Sequence, residues 1–135
     1  MADLLEEAAG WLDGMRTAHL SRPVVYCRPS AGSGQGAEVE VAATIGKTVF
    51  EIDDGSGAVE RFESRDFLIS AGELVLGGDT TLPQPGDRVK EPAGVLGVKV
   101  LVYEVMAPGK EPCWRWSDPF RRTLRIHTKQ VDEVF

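Results

Sequence analysis

The sequence predicts a mainly β fold, a small antiparallel β-barrel or sandwich preceded by one N-terminal α-helix. Three observations carry this expectation. Apolar residues recur every three to four positions before Pro23 and every second position after it. Gly- and Pro-rich breaks punctuate the second part at short intervals. The chain has 135 residues, enough for one core and too few for two. We therefore expect a single domain, with a helix in residues 1–22 packed on a barrel of residues 23–135.

The helix comes first. Leu4, Leu5, Ala8, Trp11, Leu12 and Met15 share one face. Asp3 suits the N-cap, and Glu6 stands three residues on, where it reaches back to complete a capping box. Arg16 and His19 suit the negative end of the helix dipole. Gly10 and Gly14 each cost about 1 kcal/mol against Ala. Packing, with Trp11 as anchor, is expected to hold the helix.

The strands follow in order. Val24–Arg28 reads as a short strand, and 29–36 as a flexible loop. Val39, Val41, Ala43 and Ile45 alternate with Glu38, Glu40 and Thr44 in a half-buried strand. Gly46-Lys47 is expected to turn that strand as a type II′ hairpin, with Thr48, Phe50 and Ile52 returning. Residues 53–57 form the next turn. Val59–Phe62 and Phe67–Ile69 read as two further strands, and Leu74–Leu76 as a short apolar patch. Pro83-Gln84-Pro85-Gly86-Asp87 is a rigid turn that starts a strand at Arg88. Residues 98–106 form the strongest β stretch, ended by Pro108-Gly109-Lys110. Leu124, Ile126 and Thr128 face one way in the last strand. The expected core is Val39, Val41, Ile45, Phe50, Ile52, Val100, Val102, Leu124 and Ile126.

Composition narrows the function. The chain is 42% apolar and 27% charged, which is globular and not disordered. Fifteen Lys and Arg against 21 Asp and Glu give a net charge of −6. That balance disfavours a protein that grips nucleic acid over its whole surface. No apolar run approaches the roughly 20 residues of a membrane helix, so no membrane partner is expected. The first residues lack the cationic-then-apolar pattern of a secretory signal. Cys27 and Cys113 are read as reduced thiols.

Enzyme patterns fail on inspection. Gly46-Lys47-Thr48 resembles the end of a phosphate loop, but Val41 stands where the motif needs glycine. Gly32, Gly34 and Gly36 are spaced two and two, a strand follows, and a flexible loop explains them better than a dinucleotide fingerprint. His127 serving Cys113 or Ser117, with Asp118 orienting it, would make a small hydrolase. A strand histidine with a structural hydrogen bond is the plainer reading. Two His and two Cys lack the close pairs of zinc sites. Asp53-Asp54 before Gly55 needs only a turn. No catalytic residue, metal or cofactor is expected.

The unusual segment is Cys113 to Arg122, which holds two of the three tryptophans. Trp114, Trp116, Phe120, Arg121, Arg122 and the following Arg125 are the residue types of interface hot spots. They also suit base stacking with Arg on phosphate, the basis of an alternative nucleic-acid-binding barrel using residues 114–125. In the plainer reading Trp114 and Trp116 plug one end of the barrel and the arginines form a solvated rim. Gly32, Gly34 and Gly36 in one loop, and Pro83 and Pro85 in another, are candidate assembly loops. The glycines let one loop follow a partner surface, and the prolines let the other present a rigid edge. Deleting residues 30–35 is expected to leave the monomer folded and impair assembly.

Pro85-Gly86-Asp87-Arg88-Val89, then Tyr103-Glu104-Val105, a Trp-containing turn and Leu124-Arg125-Ile126-His127-Thr128 follow a recurring order. Over roughly residues 60–130 this resembles the head–tail joining or stopper proteins of tailed-phage and prophage necks. Phe67-Leu68-Ile69 and Leu74 before the turn fit the same pattern. The resemblance implies a structural virion protein, made in the bacterial cytoplasm, without catalytic residues. It implies a homo-oligomeric ring, sixfold or twelvefold, touching portal or adaptor and tail proteins. DNA would pass through without tight binding, which a net charge of −6 suits. A tail-completion or terminator role in the same particle is the alternative within that class.

Overall fold

The computed structural model describes residues 4–8, 10, 11, 21–30, 36–53, 55–93, 99–109 and 111–134. Residues 4–8, 10 and 11 are helical. Among the described residues nine strands follow: β1 (Arg22–Arg28), β2 (Ala37–Asp53), β3 (Val59–Ser70), β4 (Val75–Leu76), β5 (Asp79–Thr80), β6 (Arg88–Ala93), β7 (Lys99–Val105), β8 (Trp114–Trp116) and β9 (Thr123–Val134). A short 3-10 turn, Ala71–Glu73, separates β3 from β4.

Six strands pair antiparallel in the order β3-β2-β1-β6-β7-β9, and β9 pairs back on β3 to close a ring. Closure removes the free edges that an open sheet would expose. The short β8 lies along the first half of β9, placing Trp114 opposite Ile126 and Trp116 opposite Leu124. β4 and β5 form a small separate ladder.

The pleat sends alternate residues into the ring. Phe67 stands opposite Ile126, and Ile69 stands between Ala43 and Leu124. Tyr26 faces Val89, which faces Tyr103. All of these are buried. Of the core expected from sequence, Val41, Val102, Leu124 and Ile126 are buried, and Val39, Ile45, Phe50, Ile52 and Val100 are half-buried. Phe50 and Ile52 lie on an extension of β2 and not in the ring interior.

That extension corrects the expected turn at Gly46-Lys47. β2 runs unbroken through both residues to Asp53. A Cβ on Gly46 would stand 3.2 Å from Arg125 Nη1 and 3.3 Å from Leu68 Cδ1. The glycine clears a path for a guanidinium and turns nothing. The chain reverses further on, where Gly55 and Gly57 have φ of 84° and 88° and Asp53 Oδ1 accepts from Gly55 N at 2.9 Å. Returning, β3 is one strand and not two. β1 reaches only Ala43 of β2, and β9 reaches only Arg65 of β3. Residues 46–53 and 59–64 therefore project past their neighbours as a two-stranded arm.

Strand β9 bends where Val131 is left out of register: Val102 opposes Asp132 and Tyr103 opposes Gln130. The extra residue is a β-bulge, which raises local twist and helps a small ring close.

The helix departs from expectation. Trp11 is 65% exposed, and Leu4 and Leu5 are exposed too, so Trp11 does not anchor the helix within this chain. The contact is polar instead: Arg122 donates to Glu6 Oε1 at 3.4 Å, and its guanidinium lies beside Gly10. Leu12, Gly14, Met15, Arg16 and His19 fall outside the described residues.

Phe67 and Phe50 separate the ring interior from the arm. Phe67→Ala should destabilise by about 3–5 kcal/mol, the usual cost of emptying a filled aromatic site. Phe50→Ala, half-buried on the arm, should cost clearly less. Urea denaturation of the two variants checks the order, and equal losses would show that the arm belongs to the main core.

Candidate functional site

Among the described residues three buried carboxylates organise the fold: Asp66, Asp87 and Glu91. Each stands on or beside a strand, and each draws arginine to it.

Asp66 points out of the ring from β3, yet it is fully buried. Its Oδ1 accepts from Ser64 Oγ at 2.5 Å and lies 2.9 Å from His127 Nδ1. Its Oδ2 accepts from Arg125 Nη1 at 2.7 Å and from Thr48 Oγ1. Phe50 covers the imidazole edge-on, with ring centroids 5.0 Å apart. Burial pushes the Asp66 carboxyl up, but the bonds from His127, Ser64, Thr48 and Arg125 outweigh it and hold the group well below the usual carboxylate range. An ionised carboxylate only accepts, so Nδ1 of His127 carries the proton in this pair. Ser64 Oγ approaches that same nitrogen at 3.5 Å. A Ser-His-acid relay needs the serine on the other ring nitrogen from the acid. This constellation is a staple between β2, β3 and β9.

Asp87 gives the Gly86-Asp87 motif its physical content. Gly86 takes φ 93°, and Asp87 turns inward. Arg28 donates to both of its oxygens, Nε at 3.1 Å and Nη2 at 2.9 Å. Tyr26 Oη donates to Oδ2, and Gln84 N donates to the same oxygen at 3.0 Å. Arg28 Nη2 also holds Leu82 O at 2.8 Å. Burial, then the bond to Asp87, pushes the Tyr26 phenol far above its ordinary range. The 82–87 turn is thus fastened to β1.

Glu91 lies at the other end of the same interior. Arg65 Nη2 donates to its oxygens at 2.8 and 2.9 Å, and Arg22 Nη1 donates at 3.2 Å. The Arg65 guanidinium stands 5.1 Å from the Tyr103 ring centre.

The Trp/Arg segment occupies the corner after β8. Trp114 and Trp116 are half-buried against the core and meet edge to face, 5.1 Å apart. Asp118 ties the turn: Oδ1 accepts from Arg122 N and Thr123 N, each at 2.9 Å, and Oδ2 accepts from Phe120 N at 3.2 Å. Arg121 is held at φ 57° and is exposed, as is Arg122. Phe120 is half-buried. Arg125 is set apart from these, because its guanidinium is committed to Asp66.

The candidate loops divide. Pro83 is buried, with its carbonyl 3.7 Å from Cys113 Sγ, whereas Pro85 is exposed. A Cβ on Gly36 would stand 2.4 Å from Arg28 O, so only glycine lets the chain pass there. Gly32 and Gly34 lie outside the described residues. The hydrolase grouping is not assembled around His127. Its Nδ1 serves Asp66, Cys113 meets it only through the backbone (His127 N to Cys113 O, 2.8 Å), and Ser117 N binds Thr123 O at 2.8 Å. Burial pushes both the Cys27 and Cys113 thiols up, away from reactivity. Among the described residues no group of three His, Cys, Asp or Glu is placed to share a metal ion.

Asp87 was singled out from sequence as part of the Gly86-Asp87 turn, whereas Asp66 and Glu91 were not. The signal was present in Glu63-Ser64-Arg65-Asp66, a polar run between two apolar strand segments.

A family model for phage head-tail joining proteins matches residues 2–134. That is nearly the whole chain, and the chain belongs to this family. The match takes in the N-terminal helix, which lay outside the span of the resemblance read from sequence. The chain is therefore a structural protein of a bacteriophage particle, joining head and tail. A search of curated proteins returned no significant match.

The Asp66 staple sets an acid limit. A carboxyl depressed in the folded state adds stability that is full above its unfolded value, near 4, and is lost as pH falls toward the folded value. The urea midpoint should hold from pH 7 to 5 and fall below pH 4. Asp66→Ala strands Arg125 and His127 and should cost about 3 kcal/mol at pH 7. It should also flatten the acid decline. An unchanged acid decline in the variant would assign that decline to other groups.

Proposed function

We propose that this head-tail joining protein forms a closed homo-oligomeric ring in the phage neck, between portal or adaptor and tail, around the path of the DNA. The family match along residues 2–134 carries this reading. A ring subunit needs two different surfaces that meet heterologously and close. The described chain offers unlike surfaces: an arm at one end of β3, and a corner with Arg121 and Arg122 at the other. Sixfold or twelvefold closure fits a component seated between portal and tail. The net charge of −6 supports a conduit that DNA crosses without being gripped, since each neutralised phosphate adds affinity. The chain acts as one domain, with the helix carried on the strand ring.

In this reading Phe120, Arg121 and Arg122 meet the neighbour, with Trp114 and Trp116 packed behind them. Arg125 fixes the corner from within through Asp66. Pro85 and the loop around Gly36 lie at contacts with the next component.

Arg121→Ala with Arg122→Ala tests it. Both side chains are exposed, and the Arg122–Glu6 pair is of the weak surface kind, so the melting temperature should barely move. Loss of an interface arginine typically costs about 2 kcal/mol, so incorporation into particles should fall at least tenfold. A gel-shift titration of the wild type supplies the opposing outcome. Tight, salt-sensitive DNA binding at physiological ionic strength would overturn the slippery conduit, because such a subunit would hold the genome back.

A further inference from the structure

We infer that the β2–β3 arm of one copy seats on the corner of the next copy formed by Arg115, Arg121, Arg122 and the helix face carrying Leu4, Leu5 and Trp11. The inference rests on the ring reading above and names the two surfaces that would meet.

The first observation is where exposed apolar side chains gather. Among the described residues seven large apolar side chains are exposed, and Leu4, Leu5, Trp11, Val49 and Val59 are five of them. Three lie on the helix and two on the arm. Trp11 is 65% exposed and Val59 59%. Scattered apolar residues need no explanation, but two groups at opposite places on one chain suit a heterologous contact.

The second observation is the arm's two faces. Every second residue from Lys47 to Asp53 is exposed, as are Val59, Arg61 and Glu63 opposite them. The other face carries Thr48, Phe50 and Ile52, all half-buried. Phe50 rests on His127, and Ile52 lies over Gly109. The arm is therefore held from behind and presents its outer face.

Charge is the third observation. From Lys47 to Glu63 the sequence holds five acids and two bases. From Trp114 to Arg125 it holds four arginines and one acid. That acid, Asp118, turns its oxygens to backbone N–H groups. Arg125 is spent on Asp66, which leaves Arg115, Arg121 and Arg122 at the exposed corner. The Arg122–Glu6 bond links this corner to the helix, so the apolar and basic parts form one surface.

Distance excludes the pairing within one chain. β3 begins at the arm with Val59 and ends at Ser70, where Ser70 pairs Thr123 and Ala71 N binds Arg122 O at 2.9 Å. A strand of that length puts the arm's tip at Val59 about 35 Å from the corner, and Glu63 nearer its root about 23 Å from it. Acidic-apolar and basic-apolar surfaces at opposite ends of one strand can meet only between copies.

Two charge reversals test this in cells producing the particle. The arm variant is Glu51→Arg with Glu63→Arg, and the corner variant is Arg121→Glu with Arg122→Glu. Each alone should lower the titre of tail-joined particles at least tenfold, with an unchanged circular dichroism spectrum and melting temperature. Producing the two variants together should restore the titre, because in alternating copies the reversed arm of one variant meets the reversed corner of the other, and the native corner of the first meets the native arm of the second. An undiminished titre for either folded variant, or no restoration on mixing, overturns the arm–corner contact. Cross-linking of the native particle tests the ring separately. A ladder of products closing at a fixed number supports it. Products that stop at a dimer overturn the ring while restoration on mixing still upholds the contact.

Discussion

One buried carboxylate, Asp66, ties together the strands whose pairing closes the ring. It sits on β3, takes His127 and Arg125 from β9, and takes Thr48 from β2. A lone ion at that depth would be strongly unfavourable, so the acid and its donors stand or fall together. Gly46 belongs to the same arrangement, because a Cβ there would stand 3.2 Å from Nη1 of the guanidinium that reaches Asp66. Sheet closure, a glycine in mid-strand and a polar run inside β3 meet at the same contact.

The ring interior is small, and its ends are finished by ion networks and not by more apolar residues. On β1, Arg22, Val24, Tyr26 and Arg28 share one parity, with an arginine at either end. One arginine reaches Glu91 and the other reaches Asp87. Both acids come from β6 or the turn before it, the strand paired with β1. The apolar layer between them is Val24, Tyr26, Phe67, Val89, Tyr103 and Ile126. Long arginine stems cover apolar surface while their heads satisfy buried carboxylates. This suits a particle component, which needs a stiff body from which short elements project.

Those elements exist because strand lengths do not match. β2 has 17 residues, while β1, its partner on the far side, has 7. The excess becomes the arm, supported from behind by Phe50 on His127 and Ile52 over Gly109. The Asp66 cluster lies at the arm's root, so it fixes both ring closure and the direction in which the arm leaves. The helix, joined to the body by Glu6 and Arg122, leaves its apolar side outside.

Alternation and turn residues were enough to determine a mainly β fold, the places of β1, β6, β7 and β9, and three members of the core cluster, Val41, Leu124 and Ile126. These follow from local rules, since a pleat puts every second side chain inside. The order of motifs also pointed to the head–tail joining family. Tertiary structure alone decided the rest. Gly46-Lys47 reads as a turn because glycine usually marks one, but a contact from Arg125, 79 residues away in sequence, makes it a clearance. Glu63–Asp66 reads as a break because polar runs usually are, but His127 and Arg125 make its carboxylate a buried hub. Trp11 reads as a core anchor because apolar helix faces usually pack, yet the folded chain leaves it outside. In the first two cases the deciding partner is remote in sequence, and a local pattern cannot show which remote side chain will arrive; in the third it cannot show that, among the described residues, no core surface of the chain covers the ring of Trp11.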